Sequence, residues 1–530
     1  MKDKSKNYLL PFTISLTLAI GLWMGHILSP NSKGFDLNSG EEKYAKFKDI
    51  IEVLNTRYVD TLNSDKIFED AIADMLHKLD PHSNYIPASE LKAINEQIDG
   101  KFGGVGVRFS IIRDTICVTN VIFGSPSYQV GVQAGDKFIS IDGKNVAKKK
   151  ITNEKVMSLL KGEENTPVKV QIYRNKKKIT KQIIRGTIPL ESIVCTTMLT
   201  KDVGYIKLDQ FSIASYHEFS RSAATLKAKG MKKLIFDLRN NPGGVLQTAV
   251  EIVDEFLAGN KEIVKTKGSH IKEEKYLSTS KGILENTELV ILINSNSASA
   301  SEIVAGALQD NDRATIMGRR SFGKGLVQQD IALKDGSNLR LTIARYYTPT
   351  GRCIQKPYMK DYEEYYSDQL ERYENGELYK IDSSLLVDSL KFKTPKGKVV
   401  YGGGGILPDV FIPLDTVGSS WYFTELRYSP VFQNFAFDFL QNKRTKWKSI
   451  TDFNTNFKID ETILESFVKY AEKNFKIYRN ISDLKVSKNL ITQTIKAEIA
   501  RQLWTEQGYY TVVSSHDKEV LRALQFLSKK

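Results

Sequence analysis

Apolar positions along the chain change their spacing three times, and each change predicts a different kind of structure. Across residues 41–98, Tyr44, Phe47, Ile50, Ile51, Leu54 and Tyr58 recur at intervals of three and four, the stripe of an amphipathic helix. A second helix is predicted over Ile67–Leu79, stopped by Asp80-Pro81. From Phe102 to Arg185 the texture turns to short β-rich runs: Val105–Ile112, Thr115–Val121, Lys137–Ile141, Val168–Tyr173 and Lys178–Ile184. Gly, Pro, Asn and Asp turns separate them, and one helix is predicted near Thr152–Leu160. From Val203 onward strand and helix alternate: strands at Val203–Leu208, Lys233–Leu238, Leu289–Ile293, Gly325–Leu333 and Leu341–Tyr346, and helices at His217–Ala228, Val245–Leu257 and Ser301–Leu308. Such alternation predicts an α/β core whose sheet is covered by helices. Residues 357–395 are charged and tyrosine-rich without clear period and read as an insertion. After Pro408-Asp409 the helical spacing returns, best at Glu461–Lys473, Lys488–Leu503 and Asp517–Leu527. The expected organisation is α/β multidomain: a signal anchor at 1–30, an N-terminal helical region at 41–98, a β-rich domain at 99–186, an α/β core at 187–356 and 396–415, and a C-terminal helical region at 416–530.

The amino-terminus adds a location. Lys2, Lys4 and Lys6 precede a mostly apolar run from Tyr8 to Leu28, roughly the twenty residues that cross a bilayer. Positive charge before the run predicts an anchor with the rest of the chain translocated. A cleaved signal peptide is the alternative, but no small-x-small site stands out before Pro30. Elsewhere nothing is apolar enough to span, so a multi-span transporter is excluded. The net charge is +14, from 76 basic and 62 acidic residues. The lysines fall in short runs at predicted turns, Lys148–Lys150 and Lys176–Lys178, which is a solvated-surface pattern and not a nucleic-acid stripe. Three cysteines without C-x-x-C spacing make a disulfide scaffold or a structural zinc site improbable.

Four segments carry candidate chemistry. Asn294–Glu302 joins a predicted strand to a predicted helix, where Ser299 would expose its oxygen beside free helix-start amides. The same Ser299-x-x-Glu302 spacing is a capping box, which needs no catalysis. None of the six histidines sits in a recognisable triad motif, so the base for such a serine is sought in a lysine kept neutral by burial. Lys324, in Gly318–Gly325, is the candidate, and Gln328 four residues on would share its strand face and orient its amine. Gly318-x-x-x-x-Gly323-Lys324 also approaches a phosphate-binding loop, but Gly325 stands where the Mg²⁺-binding hydroxyl belongs and a strand follows. Asp237–Gly244 ends a strand at two glycines, whose bare amides suit an oxyanion. Lys101–Val107 is a glycine–apolar loop able to hold a peptide carboxylate while the peptide extends a sheet.

In that order, Leu79–Ser83, Phe102–Val107, Asp237–Gly244, Ser297–Gln309, Gly323–Gln328, Tyr347–Gly351 and Gly404–Asp409 resemble the carboxyl-terminal processing proteases, peptidase family S41. The resemblance spans about 41–356 and resumes at Gly404. It implies a crotonase-like protease core in which Ser299 is the nucleophile, Lys324 (25 positions on) its base and Gln328 the third member of a Ser-Lys-Gln triad. It further implies an oxyanion hole of Ala300 with Gly243 or Gly244, and a supporting role for Asp310 behind the site. Where many relatives have glycine before the serine run, this chain has Asn296. The β-rich segment resembles a PDZ domain, with Gly104, Val105, Gly106 and Val107 as its carboxylate loop. The expected protein is thus a serine endopeptidase of the bacterial cell envelope, tethered to the inner membrane with its catalytic part in the periplasm. Its substrates would be proteins gripped by their C-termini. It would need no metal or other cofactor and bind no nucleic acid. The C-terminal region would dock the PDZ domain, form a homodimer or receive an adaptor. The alternative is a PDZ-mediated peptide-binding scaffold with an inactive core.

Overall fold

In a computed structural model the described residues are 37–358 and 362–529, with side chains from residue 45. The anchor expected at 1–30 lies outside them. Among the described residues no helix is long and apolar enough to cross a membrane. The chain divides after Met75 into two units. In the first, helix Leu37–Arg57 is followed by the start of helix Ser64–His77, and the rings of Phe47 and Phe68 stand 6.1 Å apart.

The second unit is built on a six-stranded sheet. Runs such as Leu234-Ile235-Phe236 and Leu289–Ile293 are apolar at every position, the signature of strands buried on both faces. The order is Ile193–Met198, Val203–Leu208, Lys233–Asp237, Glu288–Ile293, Thr315–Gly318, Val410–Phe411; only the first pair is antiparallel. Leu234, Phe236, Ile291 and Ile293 turn to one side and meet Phe219, Ala249 and Val304 from helices Ser215–Ala228, Leu246–Asp254 and Ala300–Asp310. Ile235, Val290 and Leu292 turn to the other and meet Val520, Ala523 and Leu527 of the last helix, Lys518–Ser528. The expected grouping of 416–530 as one helical region therefore needs correction: its final helix covers the second face of the protease sheet. That helix is fastened by charge. Arg239 reaches Asp237 (2.7 Å) and Asp517 (2.9 Å), and Arg319 reaches Glu519 (2.9 Å). Burial would raise the Asp237 carboxyl, but Arg239 and Lys207 beside it hold it well below the usual range.

A second sheet centres on strand Asn338–Tyr347, which pairs with Asn84–Ile86, Glu262–Lys267 and Leu326–Ala332. The β-rich domain has the antiparallel order Val107–Ile111, Ile116–Val121, Lys137–Ile141, Pro167–Arg174, Lys177–Ile184, with Val107–Ile111 at the edge. Its helix Asn153–Leu160 is capped by Thr152, whose Oγ1 accepts from the Lys155 amide.

Two departures have physical reasons. The insertion contains a helix, Tyr362–Glu374, whose buried residues are Tyr365 and Arg372, two turns apart. A stripe made of tyrosine and arginine carries no aliphatic period, so the sequence pattern misses it. The C-terminal bundle also has three helices the pattern passed over: Trp421–Tyr428, Val431–Phe439 and Ile450–Asn456. Here Phe432 and Phe435 of Val431–Phe439 and Phe453 of Ile450–Asn456 join one core with Phe467 of helix Glu461–Phe475. Helix Ile481–Ser514 breaks at Trp504 and Thr505, where φ is −135° and 56°. Beyond the break Gln507 accepts from the Thr196 amide at 2.8 Å. Of the roles expected for this region, docking on the β-rich domain is present: Arg113 pairs with Asp438 (2.8 Å), Asn120 Nδ2 donates to the Gln502 carbonyl (3.0 Å), and Phe437 is buried against Ile112 and Cys117.

Asp310, expected behind the site, is buried against an equally buried Arg352 at 2.7 Å and accepts from the amide and hydroxyl of Thr350. It pins the turn after strand Asn338–Tyr347. Asp310→Ala strands the guanidinium without its partner and should cost about 3–5 kcal/mol of stability, read as a lowered denaturant midpoint.

Candidate active site

Strand Glu288–Ile293 delivers the chain into the turn that opens helix Ala300–Asp310. At its corner Ser299 has φ 55° and ψ −114°, a left-handed backbone conformation that costs a non-glycine residue about 1–3 kcal/mol. Its neighbours over-determine it. The Ser299 amide donates to Glu302 Oε2 (2.8 Å), the Ala298 amide and the Ser301 hydroxyl both donate to the Asn241 carbonyl (3.0 Å each), and the Tyr346 hydroxyl lies 3.2 Å from the Ser299 carbonyl. Asn296, in place of glycine, fits without strain: its Nδ2 donates to Asn240 Oδ1 (3.0 Å) and its Oδ1 accepts from Gln369 (2.7 Å).

The Glu302 side of the capping box forms, but its carboxylate does more than cap. It also accepts from the Gly323 amide (2.7 Å), the Lys324 amide (2.8 Å) and the Ser321 hydroxyl. One buried side chain thereby holds the backbones of Ser299 and Lys324 together. Tyr346 does the same from the carbonyl side, its hydroxyl within hydrogen-bonding reach of both Ser299 and Lys324. Burial pushes the Glu302 carboxyl up, against the hydrogen bonds it receives.

Lys324 stands in the irregular stretch before strand Leu326–Ala332. Burial lowers its ammonium from 10.5 to about 8; Arg340 acts in the same direction, while Glu302 and Asp80 oppose it. The expectation that Lys324 and Gln328 share one strand face is corrected, because Lys324 precedes the strand and a bulge falls between Val327 and Gln328. The bulge nevertheless leaves Gln328 in the same cleft as Ser299, Lys324, Gly243, Gly244 and Tyr346. Its side-chain amide donates to Thr342 Oγ1 at 3.4 Å.

The two glycines divide their tasks. The Gly243 amide donates to Asn241 Oδ1 at 2.8 Å, so it is already engaged. Among the described residues the amides of Gly244 and Ala300 have no acceptor. What Gly243 supplies is room: at φ 96°, a Cβ there would stand 2.7 Å from Ser299 Cβ and 2.9 Å from the Ala300 nitrogen. Burial, with the charge of Lys324 acting in the same direction, lowers the imidazole of His82, in the motif after Leu79, to about 3; its Nε2 meets the Tyr365 hydroxyl at 2.9 Å.

In the β-rich domain, Gly106 has φ 79° and its carbonyl accepts from the Ser125 hydroxyl (3.1 Å). Among the described residues no acceptor takes the Val105 or Gly106 amide, and the edge strand Val107–Ile111 leaves one side unpaired. Gly104 sits at the end of strand Lys101–Gly104, with a would-be Cβ 2.8 Å from the Phe102 ring. Sequence reasoning missed Tyr346, whose partners lie tens of residues away, and Asn241, whose side chain takes the Gly243 amide two residues on and reaches the Leu208 carbonyl, and it saw only the local half of Glu302.

Comparison with known proteins assigns families to parts of the chain. Residues 202–363 match the model of peptidase family S41, residues 103–184 that of the PDZ domain, and residues 422–505 a family of unknown function, DUF8443. A carboxy-terminal-processing protease of Bartonella bacilliformis is 37% identical over 346 residues, 63% of this chain and 78% of that protein. A Staphylococcus aureus protein named "Probable CtpA-like serine protease" is 33% identical over 329 residues, 61% of this chain and 65% of its own length. The solved structure of a photosystem II D1 C-terminal processing protease is 28% identical, covering 58% of this chain and 89% of its own, with a TM-score of 0.34. The chain belongs to peptidase family S41, the carboxy-terminal-processing serine proteases, and carries a PDZ domain.

Gly243→Ala places a methyl against the Ser299 turn at a positive φ. Activity should fall on the order of 10²–10³-fold, as for a spoiled oxyanion site, with the circular-dichroism spectrum unchanged.

Proposed function

We propose that the chain is an exported endopeptidase that draws a substrate's C-terminal tail onto its PDZ edge strand and cleaves it through an acyl-enzyme. Ser299 Oγ attacks the scissile carbonyl while neutral Lys324 takes its proton. The amides of Ala300 and Gly244 receive the oxyanion. Lys324 then gives the proton to the leaving amine as the C–N bond breaks; in the second half a water molecule passes a proton to the neutral Lys324 amine and attacks the acyl carbon, and Lys324 returns that proton to Ser299 Oγ as the ester bond breaks. Gln328 orients the lysine. The substrate carboxylate is received by the loop Gly104–Val107, and the tail adds a strand beside Val107–Ile111. The observation that carries the reading is a lysine with its ammonium lowered to about 8 in the cleft that also holds Ser299. A surface lysine near 10.5 would be almost fully protonated and no base; at about 8, about a tenth is neutral at pH 7.

Ser299→Ala and Lys324→Ala should each abolish cleavage of a protein with an apolar C-terminal tail while tail-peptide binding persists. Binding by the parent chain with no Ser299-dependent cleavage would favour the scaffold alternative. The sign of the pH dependence follows from the lowered lysine: protonated it cannot accept, so kcat/KM should rise as pH climbs through about 8. A flat profile from pH 6 to 9 would remove Lys324 as base.

We also propose that the protein belongs to the bacterial cell envelope, tethered to the inner membrane through the apolar run Tyr8–Leu28, with its catalytic part in the periplasm. In spheroplasts the catalytic part should be digested by added protease and the intact chain should resist carbonate extraction; protection from protease would overturn the placement.

A further inference from the structure

The turn Asp80–Ser83 is fastened to strand Asn338–Tyr347 at the point where that strand faces Gln328. Asp80 Oδ1 accepts from the amides of His82 (2.8 Å) and Ser83 (3.0 Å) and from the Thr342 hydroxyl (3.0 Å), and Oδ2 accepts from the Ser83 hydroxyl. The Ser83 hydroxyl in turn accepts the Thr342 amide at 3.0 Å. Thr342 is the register partner of Gln328, and its Oγ1 is the atom the Gln328 side chain meets at 3.4 Å.

Proton counting gives this chain a direction. A carboxylate has no proton to donate, so the Thr342 hydroxyl must spend its single hydrogen on Asp80. Its oxygen can then only accept, and the Gln328 group facing it must be the NH₂ end. That fixes which way round the amide sits, since Gln oxygen and nitrogen are distinguished by their partners. With its nitrogen held by Thr342, Gln328 has its oxygen left to accept from the amine of Lys324, with which it shares the cleft.

We infer that Asp80 and Thr342 are positioning residues that set the orientation of the Gln328 amide and, through it, of the Lys324 amine. The inference rests on Lys324 being the base. If the Thr342 hydroxyl is lost, the amide is free to turn its NH₂ toward the lysine, where it meets the ammonium form as donor to donor and, in the neutral form, occupies the lone pair that must take the Ser299 proton.

Thr342→Val keeps shape and removes the hydroxyl. The expected result is a fall in kcat on the order of 10–100-fold with KM unchanged and the thermal midpoint retained. Thr342→Ser, which restores the hydroxyl, should recover most of the rate. In a Gln328→Ala background, Thr342→Val should cause no further loss, because the amide it orients is gone. Full activity of Thr342→Val, a loss confined to KM, failure of the serine variant to recover, or losses that multiply with Gln328→Ala would each overturn the inference. Should the valine variant not fold, Thr342→Ala carries the same cycle. Undiminished cleavage by Ser299→Ala would instead overturn the proposed function, so the two failures are distinguishable.

Discussion

The site depends on one buried carboxylate. Glu302 is removed from water, where an uncompensated charge is costly, and the donors that compensate it are the amides of Ser299, Gly323 and Lys324 and the hydroxyl of Ser321. Two loops 25 positions apart are therefore satisfied by the same two oxygens. Neither can drift without leaving buried hydrogen-bonding groups unpaired. Tyr346 repeats the arrangement with the opposite polarity, offering a hydroxyl to the carbonyls of the same two residues. A strained serine and a desolvated lysine are both unfavourable features, and they persist because their backbones are bonded from both sides.

Around that clamp the insertion helix acts as a brace. Its Arg372 donates to the carbonyls of Ser321 and Phe322, its Tyr366 hydroxyl to the carbonyl of Pro81, and its Gln369 to Asn296. Three segments that border the cleft are thus tied to one amphipathic element. Lys356, between Asp368 and the rings of Phe322 and Tyr365, closes the same region.

Much of this was legible from residues alone, for identifiable reasons. The central strands announce themselves by unbroken apolar runs, because a sheet covered on both faces has no polar side to alternate with. Ser299 and Lys324 stand in motifs whose backbone demands are local: a sharp corner, flanking small residues, glycines for close approach. What stayed hidden depends on distance or on polar side chains whose pairing no pattern announces. Glu302 looked like a helix cap because its nearest partner is three residues away, while its other partners arrive from residues 321–324. Asn241 gave no local sign that its side chain would occupy the Gly243 amide, and the bulge at Gln328 follows from pairing with Thr342, not from any glycine or proline. The helix at Tyr362–Glu374 was missed because its buried stripe is made of polar aromatic and cationic groups.

The last helix has a practical consequence for anyone reshaping this molecule. Cutting the chain at residue 415, the boundary that composition suggests, would expose Ile235, Val290 and Leu292 to solvent and deprive Arg239 and Arg319 of Asp517 and Glu519. Arg239 stands two positions before Asn241, which holds the glycine turn in place. A truncated protease would therefore lose half the lagging of its sheet and leave Arg239, in the loop beside its nucleophile, with Asp237 as its remaining carboxylate.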